Sequence, residues 1–197
     1  MEKKYVVNCS VSPIRLSDDK LTGFVIAFKD ITEVVEYQQA IEYMSYHDDL
    51  TGLYNRRFMM EELERLDKVN LLPLTIMVID MNNLKETNDH YGHAMGDRLI
   101  KKTTKILKRF FHKKGTISRT GGDEFVMLIP ETTEEQAENL KANLLGEMKT
   151  HRLGEIPLSV AIGFATKTEP KEDVQEKLKM ADDHMYEHKR IYKQTEK

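Results

Sequence analysis

The stretch "LPLTIMVID", Leu72 to Asp80, leaves few architectures open. Its run from Leu74 to Ile79 is almost wholly apolar and does not alternate, so as a strand it must be covered on both faces. It then ends in a carboxylate, which loses hydration worth several kcal/mol if it is buried without a partner. "SRTGGDEFVMLIP", Ser118 to Pro130, poses the same problem again, because Asp123 and Glu124 lead straight into an apolar run. Gly-Gly suits the φ > 0 turn of a hairpin, so Thr116 to Arg119 and Glu124 to Ile129 are expected to be its two arms.

Around these strands the pattern is helical. Arg57 to Lys68, His93 to His112, Thr132 to Lys149 and Asp173 to Tyr192 read as helices, and Asn82 to Tyr91 as a short helix or turn. "PLSVAIGFAT" reads as a further strand. Strands that alternate with helices but include a hairpin predict an α/β (α+β) domain with a mixed sheet covered by helices. Ahead of it, residues 5 to 30 read as two β runs joined by the turn-rich "RLSDDKLT", a hairpin too small to be stable alone. From Ile31 a helix follows, with Ile31, Val34, Gln38, Ile41 and Met44 or Ser45 near a and d positions. Two heptads do not decide between a partner helix and packing within the chain.

The 197 residues allow one domain of ordinary size plus something smaller. A net charge of −3 gives no overall field for a polyanion, so an anionic ligand must be held by local cations or by metal. The basic run Lys101, Lys102, Lys105, Lys108, Arg109, Lys113 and Lys114 is interleaved with apolar positions at helical spacing. It reads as the solvated back of a core helix, not a nucleic-acid surface. No apolar stretch approaches the ~18 residues of a membrane span. The chain is expected to be cytoplasmic and without membrane contact of its own, which is compatible with a membrane-anchored parent. Cys9 is read as a reduced thiol without function, His184 and His188 as a half-exposed helical pair lacking a third metal ligand, and His93 as a packing or capping residue.

If the strands ending at Asp80 and beginning at Glu124 are neighbours, three carboxylates meet at one end of a sheet. At ~4 Å and an effective dielectric near 20, each pair would repel by about 4 kcal/mol. A divalent cation removes that conflict, and a set of oxygen donors without Cys or His suits Mg²⁺ or Mn²⁺. The competing reading is a pair of exposed hairpin acids near Arg119.

"GGDEF", Gly121 to Phe125, is the signature of the GGDEF family of diguanylate cyclases, and the chain resembles that family from about His47 to Lys193. "DDLTGLYNRR" resembles its leading segment, "DMNNLKETNDHYGHAMGDRL" its central motif and "MADDHMYEHK" its closing helix. The resemblance implies a mainly antiparallel, nucleotide-cyclase or palm-like fold. It implies a homodimer in which each domain holds one GTP and each 3′-hydroxyl attacks the other nucleotide's α-phosphate, giving cyclic di-GMP and two pyrophosphates. By position, Asp80, the Met81 carbonyl and Asp123 become metal ligands, while Glu124 is a further ligand or assists deprotonation. Asn88 and Asp97 face the guanine edge, where a carboxylate matches the N1–H and N2–H₂ donors that adenine lacks. Lys85, Lys189 and Lys193 supply cations to the triphosphate, and backbone N–H groups of Asn82, Asn83 and Leu84 cradle phosphate.

The match departs in places. Asn82 stands where the family has a second acid and Leu84 where it has Phe, while Tyr192 and Lys193 replace Gly and Arg. The inhibitory Arg-x-x-Asp would fall at His112 and Gly115, so no inhibitory product site is expected. Residues 1–30 resemble the last strands of a PAS sensor, 31–47 a signalling connector and 48–197 the catalytic domain. The alternative is a GTP-binding or protein-docking module that keeps the fold without turnover, a reading that Asn82 and Tyr192 favour.

Overall fold

The computed structural model describes residues 4–16, 20–111 and 114–195, which form two compact units, Met1–Ser45 and Tyr46–Lys197. The first unit holds strands β1 (Val7–Arg15) and β2 (Leu21–Asp30), paired antiparallel from Val7 opposite Asp30 to Ile14 opposite Gly23, and most of helix α1 (Thr32–Tyr46). Asp30 starts α1 by accepting from the Thr32 amide at 2.9 Å and hydroxyl at 2.6 Å. The helix buries none of its residues, so Val34, Ile41 and Met44 of the apolar stripe are exposed. Cys9 is exposed on β1.

The second unit runs β3 (Tyr54–Asn55), α2 (Arg56–Val69), β4 (Leu74–Met81), α3 (Leu84–Tyr91), α4 (His93–Phe110), β5 (Thr116–Arg119), β6 (Glu124–Ile129), α5 (Glu134–Lys149), β7 (Arg152–Leu153), β8 (Ile156–Pro157), β9 (Val160–Lys167) and α6 (Val174–Thr195). Its main sheet has the order β3-β5-β6-β4-β9, antiparallel except for the β3–β5 pair. The sheet is therefore mixed and mainly antiparallel, as expected.

All eight residues of β4 are buried, because its period-two faces meet two different helix layers. Leu74, Ile76 and Val78 pack with Met59, Leu63 and Leu66 of α2 and with Ala181 and Met185 of α6. Met77, Ile79 and Met81 pack with Leu99, Ile106 and Leu107 of α4 and with Leu144 and Met148 of α5. Of the basic run, Lys101, Lys105, Lys108 and Arg109 are exposed on α4, where Lys108 donates to the Thr51 carbonyl at 3.0 Å and Arg109 pairs with Glu147, while Lys113 lies outside the described residues.

Several details differ from expectation. The strands β3, β7 and β8 have two residues each, too short to leave a periodic pattern. Helix α5 begins at Glu134, not Thr132, because Thr133 forms a capping box with Gln136.

Helix α6 rests on the sheet at Gly163. A Cβ there would lie 2.1 Å from the Met185 amide nitrogen and 2.2 Å from the Ala181 carbonyl oxygen, both backbone atoms that cannot rotate aside. His184 and His188 tie the same helix to the outer edge of β9. His184 Nδ1 lies 2.9 Å from the Phe164 carbonyl, and the Ile162 amide donates to His188 Nδ1 at 2.9 Å. The two histidines thus cover backbone groups of an edge strand. Burial, reinforced by the charge of Lys141, lowers the His188 imidazole from its usual value. Gly163→Ala is expected to cost at least about 3 kcal/mol in urea melts, because the helix must lift off the strand. A loss below about 1 kcal/mol would contradict this packing.

Candidate functional site

Asp80 and Glu124 are directly opposite in the antiparallel β4–β6 ladder. Both continue the sheet face of Val78 and Val126, so the two carboxylates leave the sheet on the side of α2 and α6. Asp123 is fixed beside them, since the Met81 amide donates to its carbonyl at 3.0 Å. The three acids therefore share one end of the central strands. Of the three, Glu124 lines a cleft of about 370 Å³ between α2 and α6, together with Thr120, Arg56 and Lys179.

The glycines of the turn act differently from the expectation of a φ > 0 hairpin. Neither Gly121 nor Gly122 has a left-handed φ. Gly121 is instead a matter of room, because a Cβ there would lie 2.7 Å from Glu124 Oε2. Arg119 is directed away from the acids. It donates to both Asp48 oxygens at 3.0 and 3.1 Å and to the Gly122 carbonyl at 2.7 Å. Asp48 also accepts from the Thr51 amide and hydroxyl at 2.9 and 2.6 Å. Burial pushes the Asp48 carboxyl up, but these hydrogen bonds outweigh it and hold the group below its ordinary value. The segment "DDLTGLYNRR" thereby braces the signature turn.

Asp80 is 4% exposed. Burial first, then the charges of Asp123 and Glu124, push its carboxyl up to about 6 against the opposing hydrogen bond from Lys189. Lys189, reaching down from α6, forms an ion pair with Asp80 Oδ1. Among the described residues, no three carboxylate, imidazole or thiol side chains converge as a closed metal cage would. The donor set nevertheless fits a hard divalent cation, which is held by one or two carboxylates and completes its shell with water and phosphate oxygens. A buried carboxylate beside the charges of two further acids, as Asp80 is beside Asp123 and Glu124, is the arrangement such an ion relieves.

The other expected site residues are distributed around this end of the sheet. Asn82 is buried, with its amide side chain on Ser159 Oγ at 2.8 Å and its backbone N–H on the Ser159 carbonyl at 2.9 Å. Its N–H is therefore not available to a phosphate cradle, contrary to expectation. Asn83 takes a left-handed φ of 58° and leads into α3 at Leu84, whose first-turn N–H groups have no helical carbonyl to meet. Lys85 is exposed on that first turn. Asn88 of α3 has its amide oxygen buried without a hydrogen bond, against the start of α4, where a Cβ on Gly96 would lie 1.9 Å away. The exposed Asp97 follows immediately. Lys193 is exposed one turn beyond Lys189. His93 is exposed at the start of α4. Of the two positions where an inhibitory Arg-x-x-Asp would fall, His112 lies outside the described residues, while Gly115 lies close against the Leu128 carbonyl. The partners that sequence reasoning missed are Ser159 for Asn82, Asp48 for Arg119 and Asp80 for Lys189.

The profile of the family described as "Diguanylate cyclase, GGDEF domain" matches residues 45–195. The diguanylate cyclase DgcM of Escherichia coli is 30% identical over 184 residues, covering 91% of this chain and 44% of DgcM. The probable diguanylate cyclase DgcC of the same organism is 30% identical over 185 residues, covering 90% of this chain and 49% of DgcC. The chain thus spans less than half the length of either relative. The GGDEF domain of YfiN from Pseudomonas aeruginosa superposes with a TM-score of 0.67 at 30% identity, covering 74% of this chain and 90% of that one. The coiled coil and GGDEF domain of DgcB from Caulobacter crescentus, solved in complex with c-di-GMP, superposes at 0.75 with 24% identity, covering 81% and 88%, a likeness of fold.

The Asp80 environment has a pH signature. An acid raised from 3.8 to about 6 keeps its proton in the folded state after the unfolded chain has released it. Its contribution to stability therefore falls as pH rises from about 4 to about 6, and stays lower above that. In metal-free buffer, Asp80→Asn is expected to be more stable than the parent at about pH 7.5, with the gap narrowing toward pH 4. Urea melts at the two values check this, and a gap that widens on acidification contradicts it.

Proposed function

We propose, since the chain belongs to the GGDEF-domain family of diguanylate cyclases, that it condenses two molecules of GTP into cyclic di-GMP and two pyrophosphates. The observation that carries this reading is the cross-strand pair of Asp80 and Glu124, with Asp123 fixed alongside and Lys189 as counter-charge. Asp80 and Asp123, with the Met81 carbonyl, would hold Mg²⁺ or Mn²⁺. Glu124 completes that set or takes part in deprotonating the attacking hydroxyl. Bound there, the ion supplies neutralisation of charge developing on phosphate oxygens and acidification of a nearby hydroxyl.

The chain's own residues then bind and orient. Asn88 and Asp97 read the guanine edge, where the buried amide oxygen of Asn88 offers an acceptor. Lys85 and Lys193, with the first N–H groups of α3, hold the phosphates. Each domain carries one GTP, so the 3′-hydroxyl of one nucleotide reaches the α-phosphate of the other only in a homodimer. The exposed Val34, Ile41 and Met44 stripe of α1 supports the reading of 31–47 as the connector that brings two domains together. Residues 1–30 are the end of a PAS-like sensor, and 48–197 form the catalytic domain, acting in the cytoplasm.

A second reading has an observation of its own. Asn82, in place of an acid, is buried on Ser159, which removes one charge from the site and favours a GTP-binding module without turnover. Incubation with GTP and Mg²⁺ or Mn²⁺, followed by chromatography, separates the two. Cyclic di-GMP from the parent but not from Asp123→Ala is the expected result, GTP binding without product selects the second reading, and the absence of GTP binding rules out both. In competition binding, Asp97→Asn is expected to reduce the preference for GTP over ATP by at least about 100-fold, since the lost acceptor pair is what rejects adenine. An unchanged preference would remove Asp97 from the base site.

A further inference from the structure

Lys189 stands between two anionic claims. On its inner side it holds Asp80 Oδ1, in a pair whose side chains are 22% and 6% exposed. On its outer side it borders a cleft of about 250 Å³ shared with Tyr186, Arg190, Lys193 and Gln194, which lie on one face of α6. A divalent ion bound by Asp80 needs the carboxylate that Lys189 occupies. An ammonium and a divalent cation on one buried carboxylate repel each other, so one must leave. The helix itself is held down, because Gly163 brings its backbone against β9 and both His184 and His188 bond that strand. The movement must therefore come from the four-carbon stem of the lysine.

We propose that Lys189 is an exchangeable counter-ion: it occupies Asp80 while the site lacks a divalent cation, and moves onto the nucleotide's phosphates when the cation binds. This rests on the reading of Asp80 as the cation's ligand. The exchange couples two ligands that otherwise bind different residues. Phosphate draws the lysine off Asp80 and opens the carboxylate to the cation, while the cation releases the lysine to the phosphate. By linkage each raises the affinity of the other. The empty protein then resists loading with metal alone, and Lys189 is a positioning residue for both ligands.

The test is Mn²⁺ binding to nucleotide-free protein, followed by electron paramagnetic resonance of the free ion, together with GTP binding in EDTA. Lys189→Met, which keeps the length of the stem, is expected to bind Mn²⁺ at least about tenfold more tightly than the parent and to bind metal-free GTP more weakly, changes of opposite sign. Lys189→Arg, which keeps the charge, is expected to bind Mn²⁺ as weakly as the parent. Adding Asp80→Asn to Lys189→Met is expected to abolish the gain. Mn²⁺ affinity in folded Lys189→Met that is unchanged or weaker overturns the exchange. If Asp80→Asn still weakens Mn²⁺ binding in that case, the proposed function stands without the exchange. If Asp80→Asn has no effect in either background, the cation is not at Asp80 and both fall together.

Discussion

An acid at the end of a strand buried on both faces is the constraint from which the rest follows. Asp80 extends the apolar face of Val78 toward α6, and its partner in the ladder is another acid, Glu124. Like charges directly opposite in a sheet destabilise it. Lys189 pairs with Asp80, yet burial first, and then the charges of Asp123 and Glu124, push the Asp80 carboxyl up to about 6. The proposed function answers this charge with a divalent cation, and the cleft that Glu124 lines lies beside the pair.

The surroundings of the cluster are built to hold it still. Thr75 and Thr166 bond each other at 2.8 Å at the far end of β4, and the core rows between them and Asp80 leave little freedom for a change of register. Gly163 lets α6 approach closely enough for its lysine to reach Asp80, and Asp48 with Arg119 fixes the turn that carries Asp123. In each case a small or charged residue far along the chain sets the position of a carboxylate to within a hydrogen bond. Site geometry here is a property of packing between β4, β6, β9 and α6.

Much of this was legible in the residues. The almost wholly apolar run of Leu74 to Ile79 identified a central strand, and the bounds Thr116–Arg119 and Glu124–Ile129 were read as the structure has them. The pairing of the strand that ends at Asp80 with the one that begins at Glu124 followed from placing those two runs side by side. What could not be read were partners that depend on three-dimensional approach. Lys189 looked like a phosphate ligand and meets a carboxylate, because helix spacing gives the face a lysine occupies but not what lies beneath it. Asn82 looked like part of a phosphate cradle, yet Ser159, 77 positions away, takes both its amide groups. Gly121 was expected for its φ and is needed for its missing Cβ, a distinction that rests on where the Glu124 side chain folds back. The two-residue strands lay below the length at which any period shows.

The central claim is that Asp80 and Asp123 together hold a divalent ion against a nucleotide's phosphates. Anomalous scattering from crystals grown with Mn²⁺ and GTP tests it most directly. A manganese peak within bonding distance of both carboxylates and of a phosphate oxygen is the predicted result. A nucleotide bound with no manganese at these two acids, or with the ion held elsewhere, would contradict the account.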